Sequence, residues 1–150
     1  SRVITELQDF TPTNYGASSG VFENVLGGRV AVLGYCAWKS VYSLAKSSQL
    51  KSLCRWLSRD RLPAYVASYS KAVLWCRRDT KGNPALLLLN ATLDAVEDVQ
   101  LNIRDVPTNI VLTRMSGKTV RLTSRRTRSP YATFQLPRLE TWEPVLIAAK

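Results

Sequence analysis

The sequence has 150 residues, 45% of them hydrophobic, which places it among globular chains and suits one ordinary domain, or one small domain with part of another. It contains no histidine, which excludes Ser/His/Asp and Cys/His catalysis, HExxH zinc sites and any imidazole base. Its 21 Lys and Arg against 11 Asp and Glu give a formal charge of +10, and no apolar run approaches the ~20 residues needed to cross a bilayer.

The opening "SRVITELQDF" reads as the middle of something longer, so an excised piece of a larger protein is expected. In "VFENVLGGRVAVLGY" two β-rich runs flank Gly27-Gly28, a pair that accepts the positive φ angles of a tight turn, and a hairpin is predicted. Further on, "SSQLKSLCRWLSRDRLP" sets Leu50, Leu53, Cys54 and Leu57 at i, i+3, i+4 and i+7 spacing. Ser47 or Ser48 can cap its start and Pro63 lies beyond its end, so an amphipathic helix is predicted, with Lys51, Arg55 and Arg59 on its outer face.

From about residue 65 the period changes. "KAVLWCRR", "ALLLLNA", "VEDVQLNI", "NIVLTRM", "KTVRLTS", "YATFQL" and "EPVLIAA" are short runs rich in Val, Leu, Ile and aromatics, separated by "DTKGNP", "DVPT" and "SG" turns. Such a series without intervening helices predicts an antiparallel β-sandwich. The expected fold class is therefore mainly β, with domains at 1–62 and 63–150.

"ALLLLN" does not alternate as "VQLNIR" does, which suits a central strand covered on both faces, or one whose outer face a neighbouring domain covers. Asn90 and Thr92 then bond local backbone in a turn at its end. Asp94, Glu97 and Asp98 could form an acidic site, but lack the glycine-punctuated loop of a calcium motif and read as a solvated turn. Asn90-Ala91-Thr92 matches a glycosylation sequon, for which a buried strand end is a poor acceptor. Cys36, Cys54 and Cys76 form no CxxC pair and read as buried thiols, which favours a reducing, cytoplasmic compartment. Secretion stays open, because a leader would lie outside this sequence. No metal and no cofactor is predicted.

The order of "VFENVLGGRVAVLGY", "SSQLKSLCRWLSRDRLPAYV", "KGNPALLLLNATLD" and "FQLPRLETWEPVLI" resembles the tail of β-galactosidase-like multidomain glycoside hydrolases. In that family a catalytic (β/α)8 barrel is followed by a flavodoxin-like, amidotransferase-type domain and a small C-terminal β-sandwich. The resemblance implies that residues 1–62 are the closing hairpin and helix of the α/β domain, and that the rest is the sandwich. It implies a non-catalytic accessory region in carbohydrate metabolism, packing against the missing catalytic domain or another subunit. Nothing here matches the barrel, so no catalytic residue is carried over. Glu23, Glu140 and Glu143 are the glutamates in plausible positions, but a glycosidase pair must converge in space, which spacing does not reveal.

Two other readings stay open. A carbohydrate-binding module would use exposed aromatic faces; Tyr131 and Trp142 are the expected exposed rings, whereas Trp56 and Trp75 read as packed, and Trp38, Tyr35, Tyr65 and Tyr69 complete the set. A polyanion site would use Arg121, Arg125, Arg126 and Arg128 in "RLTSRRTRSP", with Arg125 and Arg126 at its centre. Nucleic acid is disfavoured as the partner, because the chain lacks RNP-type strands, CxxC fingers and basic heptads, and the positive excess is spread over both halves.

Overall fold

The computed structural model describes residues 2–8, 10–40, 42–128 and 130–149, without the side chains of 38, 40 and 126–128. The chain divides into two compact units, Ser1–Arg61 and Leu62–Lys150.

The first unit is an antiparallel sheet of β1 (Arg2–Gln8), β2 (Asn14–Glu23) and β3 (Arg29–Leu33), in that spatial order, followed by helix α1 (Leu44–Leu57). Strands β2 and β3 form the predicted hairpin, pairing Phe22 with Val30 and Glu23 with Arg29. Its turn runs from Asn24 to Gly28 rather than over the glycine pair alone. Asn24 accepts the Gly28 N–H on its side chain at 2.6 Å, and of the two glycines only Gly27 has a positive φ, 81°. β1 was not foreseen from sequence; its pairing with β2 shifts register three times, which erases the period-two pattern. All described pairings of this sheet are antiparallel, so no parallel pair supports the flavodoxin-like assignment of the segment.

α1 begins earlier than its serines suggest. Ser43 is the N-cap, without a side-chain cap bond, and Leu44, Ala45 and Lys46 extend the helix upstream because all three are good helix formers. It stops before Pro63, at Arg59 and Asp60, which have φ of 53° and 54°. The Asp60 N–H donates to the Arg55 carbonyl at 2.8 Å and the Arg59 N–H to that of Trp56 at 3.1 Å, the two bonds of a Schellman cap. Leu53 faces the sheet and is buried, whereas Cys54 and Leu57 of the expected apolar face are exposed.

The second unit is the predicted sandwich. One sheet has the order β10 (Arg126–Arg128), β11 (Tyr131–Gln135), β7 (Gln100–Arg104), β4 (Ala64–Val66). The other has the order β5 (Ala72–Arg78), β6 (Pro84–Asn90), β12 (Pro144–Ala149), β8 (Asn109–Arg114), β9 (Thr119–Thr123). All seven apolar runs contain strands. The two strands not foreseen, β4 and β10, have three residues each, too short to show a period. β7 starts only at Gln100 because Asp98, at φ 56°, breaks the run before it.

Leu101, Ile103 and Phe134 from the first sheet close on Leu86, Leu88, Ile110, Leu112, Val145 and Ile147 from the second. β6 is an interior strand, between β5 and β12, but it is not covered on both faces as its composition suggested, and it does alternate. Leu86 and Leu88 point inward at 1% and 0% exposure, whereas Leu87 points outward at 39%. Leu88→Ala should therefore lower the unfolding free energy by about 2–5 kcal/mol in urea denaturation. Leu87→Ala, one residue away, should cost under about 1 kcal/mol.

The β5–β6 turn carries a carboxylate held below its ordinary pKa. Asp79 accepts hydrogen bonds from the backbone and side chain of Asn83 and from the Lys81 N–H, and Lys81 adds a favourable charge. Because the folded value is depressed, this contribution is present above the unfolded carboxylate pKa and fades as pH falls through the folded one. An NMR titration should place the Asp79 midpoint below that of a free carboxylate, with loss of the Lys81 and Asn83 amide protection at the same pH. Asp79→Asn should abolish that transition.

Candidate functional site

β6 ends on a buried amide. Asn90 is 1% exposed, and a buried amide must place its donors and acceptor on partners. Its Nδ2 donates to the carbonyls of Asp94 and Glu140, both at 2.9 Å, with that of Leu139 at 3.4 Å. Its Oδ1 accepts from the Thr92 N–H at 3.2 Å and the Thr92 hydroxyl at 2.8 Å. Thr92 shares that proton with the Asp94 carbonyl at 2.6 Å. The local turn read from sequence is present. Its reach to residues 139 and 140 had no sequence signal, because nothing in a linear pattern pairs positions 50 apart. Such an amide is also a poor glycosylation acceptor.

The loop thus fixed lines an open cleft of about 540 Å³, together with Tyr69 and Lys71. Tyr69 is 50% exposed, and Asp94 and Leu93 also face solvent. The Thr141 hydroxyl donates to the Leu93 carbonyl at 3.1 Å, joining this loop to the turn at 140–143. Trp142, the next residue, is exposed and has a φ of 55°. That conformation is rare for a bulky residue, and an ion pair braces the turn that imposes it. Both carboxylate oxygens of Glu143 engage Arg114, at 2.6 and 2.5 Å, and one also accepts the Glu140 N–H at 2.9 Å.

Trp142 is therefore exposed, as expected. Tyr131 is not: it is 6% exposed, donates its hydroxyl to the Leu62 carbonyl at 2.9 Å, and packs edge-on against Tyr65 at 5.3 Å. The preceding "RTRSP" suggested a surface turn, but β11 alternates, with Ala132 and Phe134 in the core and Tyr131 on the opposite face, where it is buried beside Tyr65 of the same sheet. Trp75, expected to be packed, stands on the outer face of the five-stranded sheet and is 45% exposed. Trp56 is partly buried, under the Arg29 guanidinium at 4.8 Å. Arg125 is exposed and continues the sheet through its N–H to the Thr133 carbonyl. The side chains of Arg126, Arg128 and Trp38 lie outside the described residues.

Cys36 and Cys54 are exposed, which corrects the buried-thiol reading: the first lies in a loop and the second on the open side of α1. Cys76 is half-buried at the core, and burial pushes its thiol pKa up. Among the described residues, no group of three His, Cys, Asp or Glu stands close enough to hold a metal. Four glutamates are engaged by arginines: Glu143 by Arg114, Glu97 and Glu140 by Arg138, and Glu23 by Arg29 and Arg59 together.

Two sheet faces are apolar and open. On the five-stranded sheet, Trp75 pairs with Leu87 and Leu87 with Leu146, a transverse row of three exposed side chains. Arg77 and Arg121 lie on the same face, and none of its five strands contains Asp or Glu. In the first unit, Val3, Val32, Phe22 and Val30 share one face and are 48–63% exposed, whereas Leu53 is the one buried apolar residue among those described there. No protein-family model matches the chain, and no curated protein matches it.

Asn90→Ala would leave three carbonyls and the Thr92 N–H short of partners, which should cost at least about 2 kcal/mol in thermal or urea unfolding. Amide exchange should accelerate at residues 91–94 and 139–143 together, although the two segments are far apart in sequence.

Proposed function

We propose that this chain is a non-catalytic accessory region whose role is to pack against a larger folded body of the same parent protein. The observation that carries this reading is the open apolar face of β1–β3, where four large side chains stand in solvent while the unit buries a single apolar one among its described residues. Contiguous apolar surface of this kind marks an interaction site, and a unit of about 60 residues with so little core depends on what covers it. The row Trp75, Leu87 and Leu146 offers a second contact surface.

The occupant is another domain rather than a second copy. A chain of formal charge +10 repels itself, and Arg77 and Arg121 beside the second row fit a partner with an acidic rim. The resemblance to β-galactosidase-like enzymes supplies the identity of that domain in this reading: a catalytic (β/α)8 barrel with its amidotransferase-type neighbour. The reading frame of the parent gene should then encode the barrel upstream.

In the isolated chain, amides of β1–β3 should exchange orders of magnitude faster than those of β6, β8 and β12, and the chain should sediment as a monomer and hydrolyse no glycoside. Phe22→Ser with Val30→Ser should change stability by less than about 1 kcal/mol, since neither side chain is buried. A loss above about 2 kcal/mol would mean that the chain itself already covers this face, and would end the proposal. A dimer that dissociates in the same variant would assign the face to a second copy instead.

A further inference from the structure

We infer that the end of the sandwich formed by the β5–β6, β7–β8 and β9–β10 connections binds the phosphate backbone of a nucleic-acid duplex. Along the chain the positive charge is spread, but the strand order gathers it. The end of β5 and the turn after it carry Arg77, Arg78 and Lys81, the end of β7 carries Arg104, and the end of β9 with its connection to β10 carries Arg121 and Arg125. The register runs Arg77, Ala85, Ala148, Val111, Arg121 across the five-stranded sheet, and the short 105–108 connection brings the end of β7 to the same side.

The carboxylates are sorted the opposite way. Of the seven Asp and Glu in the sandwich, Asp94, Glu97, Asp98, Glu140 and Glu143 lie at the other end, where they engage Arg114 and Arg138. At the basic end Arg104 pairs with Asp105, and Asp79 is occupied by its own turn. Among the described residues, Arg77, Arg78, Arg121 and Arg125 take part in no ion pair. Arg77 and Arg78 donate to the carbonyls of Cys76 and Gly82, which leaves their charge uncompensated.

The neighbours of these cations select the ligand. Among the described residues, none of the three connections carries an exposed aromatic or other large apolar side chain. A single strand is held by bases stacked on aromatic rings, a membrane by inserted apolar groups, and a protein partner by buried anchors. A duplex stacks its bases inside and turns its phosphates outward, so charge alone holds it. Arginine, which supplies five of the six cations, meets a phosphate with two parallel hydrogen bonds.

The spread of the cations fits two phosphate ridges better than one thin chain. Arg77 and Arg121 stand four strands apart, ~19 Å, and Arg125 continues the other sheet, ~10 Å away. A sulfated polysaccharide crosses such an area along one line, whereas a duplex sets phosphate ridges about 12 Å apart across its major groove. Binding of this kind reads no base and is independent of sequence. A partner domain over Trp75, Leu87 and Leu146 borders only Arg77 and Arg121, so a test made on Arg78, Lys81 and Arg125 is separate from the packing proposal.

The test is fluorescence anisotropy of the 150-residue chain with a labelled mixed-sequence DNA duplex of about 20 base pairs, between ~50 and ~200 mM salt. The logarithm of affinity should fall against the logarithm of salt with a slope of about −4 to −5, as for about five phosphates. The triple variant Arg78→Ala, Lys81→Ala, Arg125→Ala should bind at least about tenfold more weakly, with a slope shallower by about three and an unchanged unfolding midpoint. Arg2→Ala, Lys39→Ala, Lys118→Ala removes the same charge elsewhere and should leave affinity within about twofold. Four results overturn the inference: no binding at the lowest salt, equal loss in both triple variants, tighter binding of a single strand of the same length, or tighter binding of heparin. The last would assign this end to a sulfated chain.

Discussion

The carboxamide of Asn90 is the group on which the far end of the sandwich depends. Inside a protein, an unpaired amide costs more than most single contacts return, so the surrounding backbone must come to it. Three carbonyls and one backbone N–H do so, from the loop that follows β6 and from the turn that precedes β12. These two strands are neighbours in the sheet, and the amide joins their ends as the ladder joins their middles. The same bonds hold the wall of the cleft, so a core requirement and a surface cleft share one set of hydrogen bonds.

Charge is used in a similar way around the molecule. Arg114 braces the 140–143 turn through Glu143, and Arg29 and Arg59 converge on the two oxygens of Glu23. Arg59 also donates to the Gly27 carbonyl, tying the hairpin turn to the residue that caps α1. Exposed pairs of this kind contribute little each to stability, but they fix the conformation of turns that carry residues at positive φ. Many of the arginines behind the formal charge of +10 are thus committed to positioning.

The two units differ in how completely they bury themselves. The sandwich encloses a continuous core from both sheets, and its open row of Trp75, Leu87 and Leu146 is an outer surface over a finished interior. Among the described residues, the three-stranded sheet has no such interior: one of its faces takes Leu53 and the other stays open. Hydrophobic stabilisation scales with apolar area removed from water. The first unit therefore has far less to hold it than the second, and a partner has more to add there.

The sequence by itself determined the mainly β character, the series of short strands after residue 65 and the hairpin before the helix. These follow from local pattern: period two in the strands, period 3.6 in the helix, and turn residues between them. Tertiary structure alone decided which way each aromatic faces. Tyr131 is buried on the face of its sheet opposite the core, edge-on against Tyr65, and Trp75 faces solvent because its register with Leu87 turns it away from the core. It also decided the role of Asn90 and the makeup of the cleft, where Tyr69 and Lys71 meet a loop more than twenty residues downstream. Those arrangements rest on pairings between distant segments, and a linear pattern encodes a residue's neighbours along the chain, not its neighbours across a sheet.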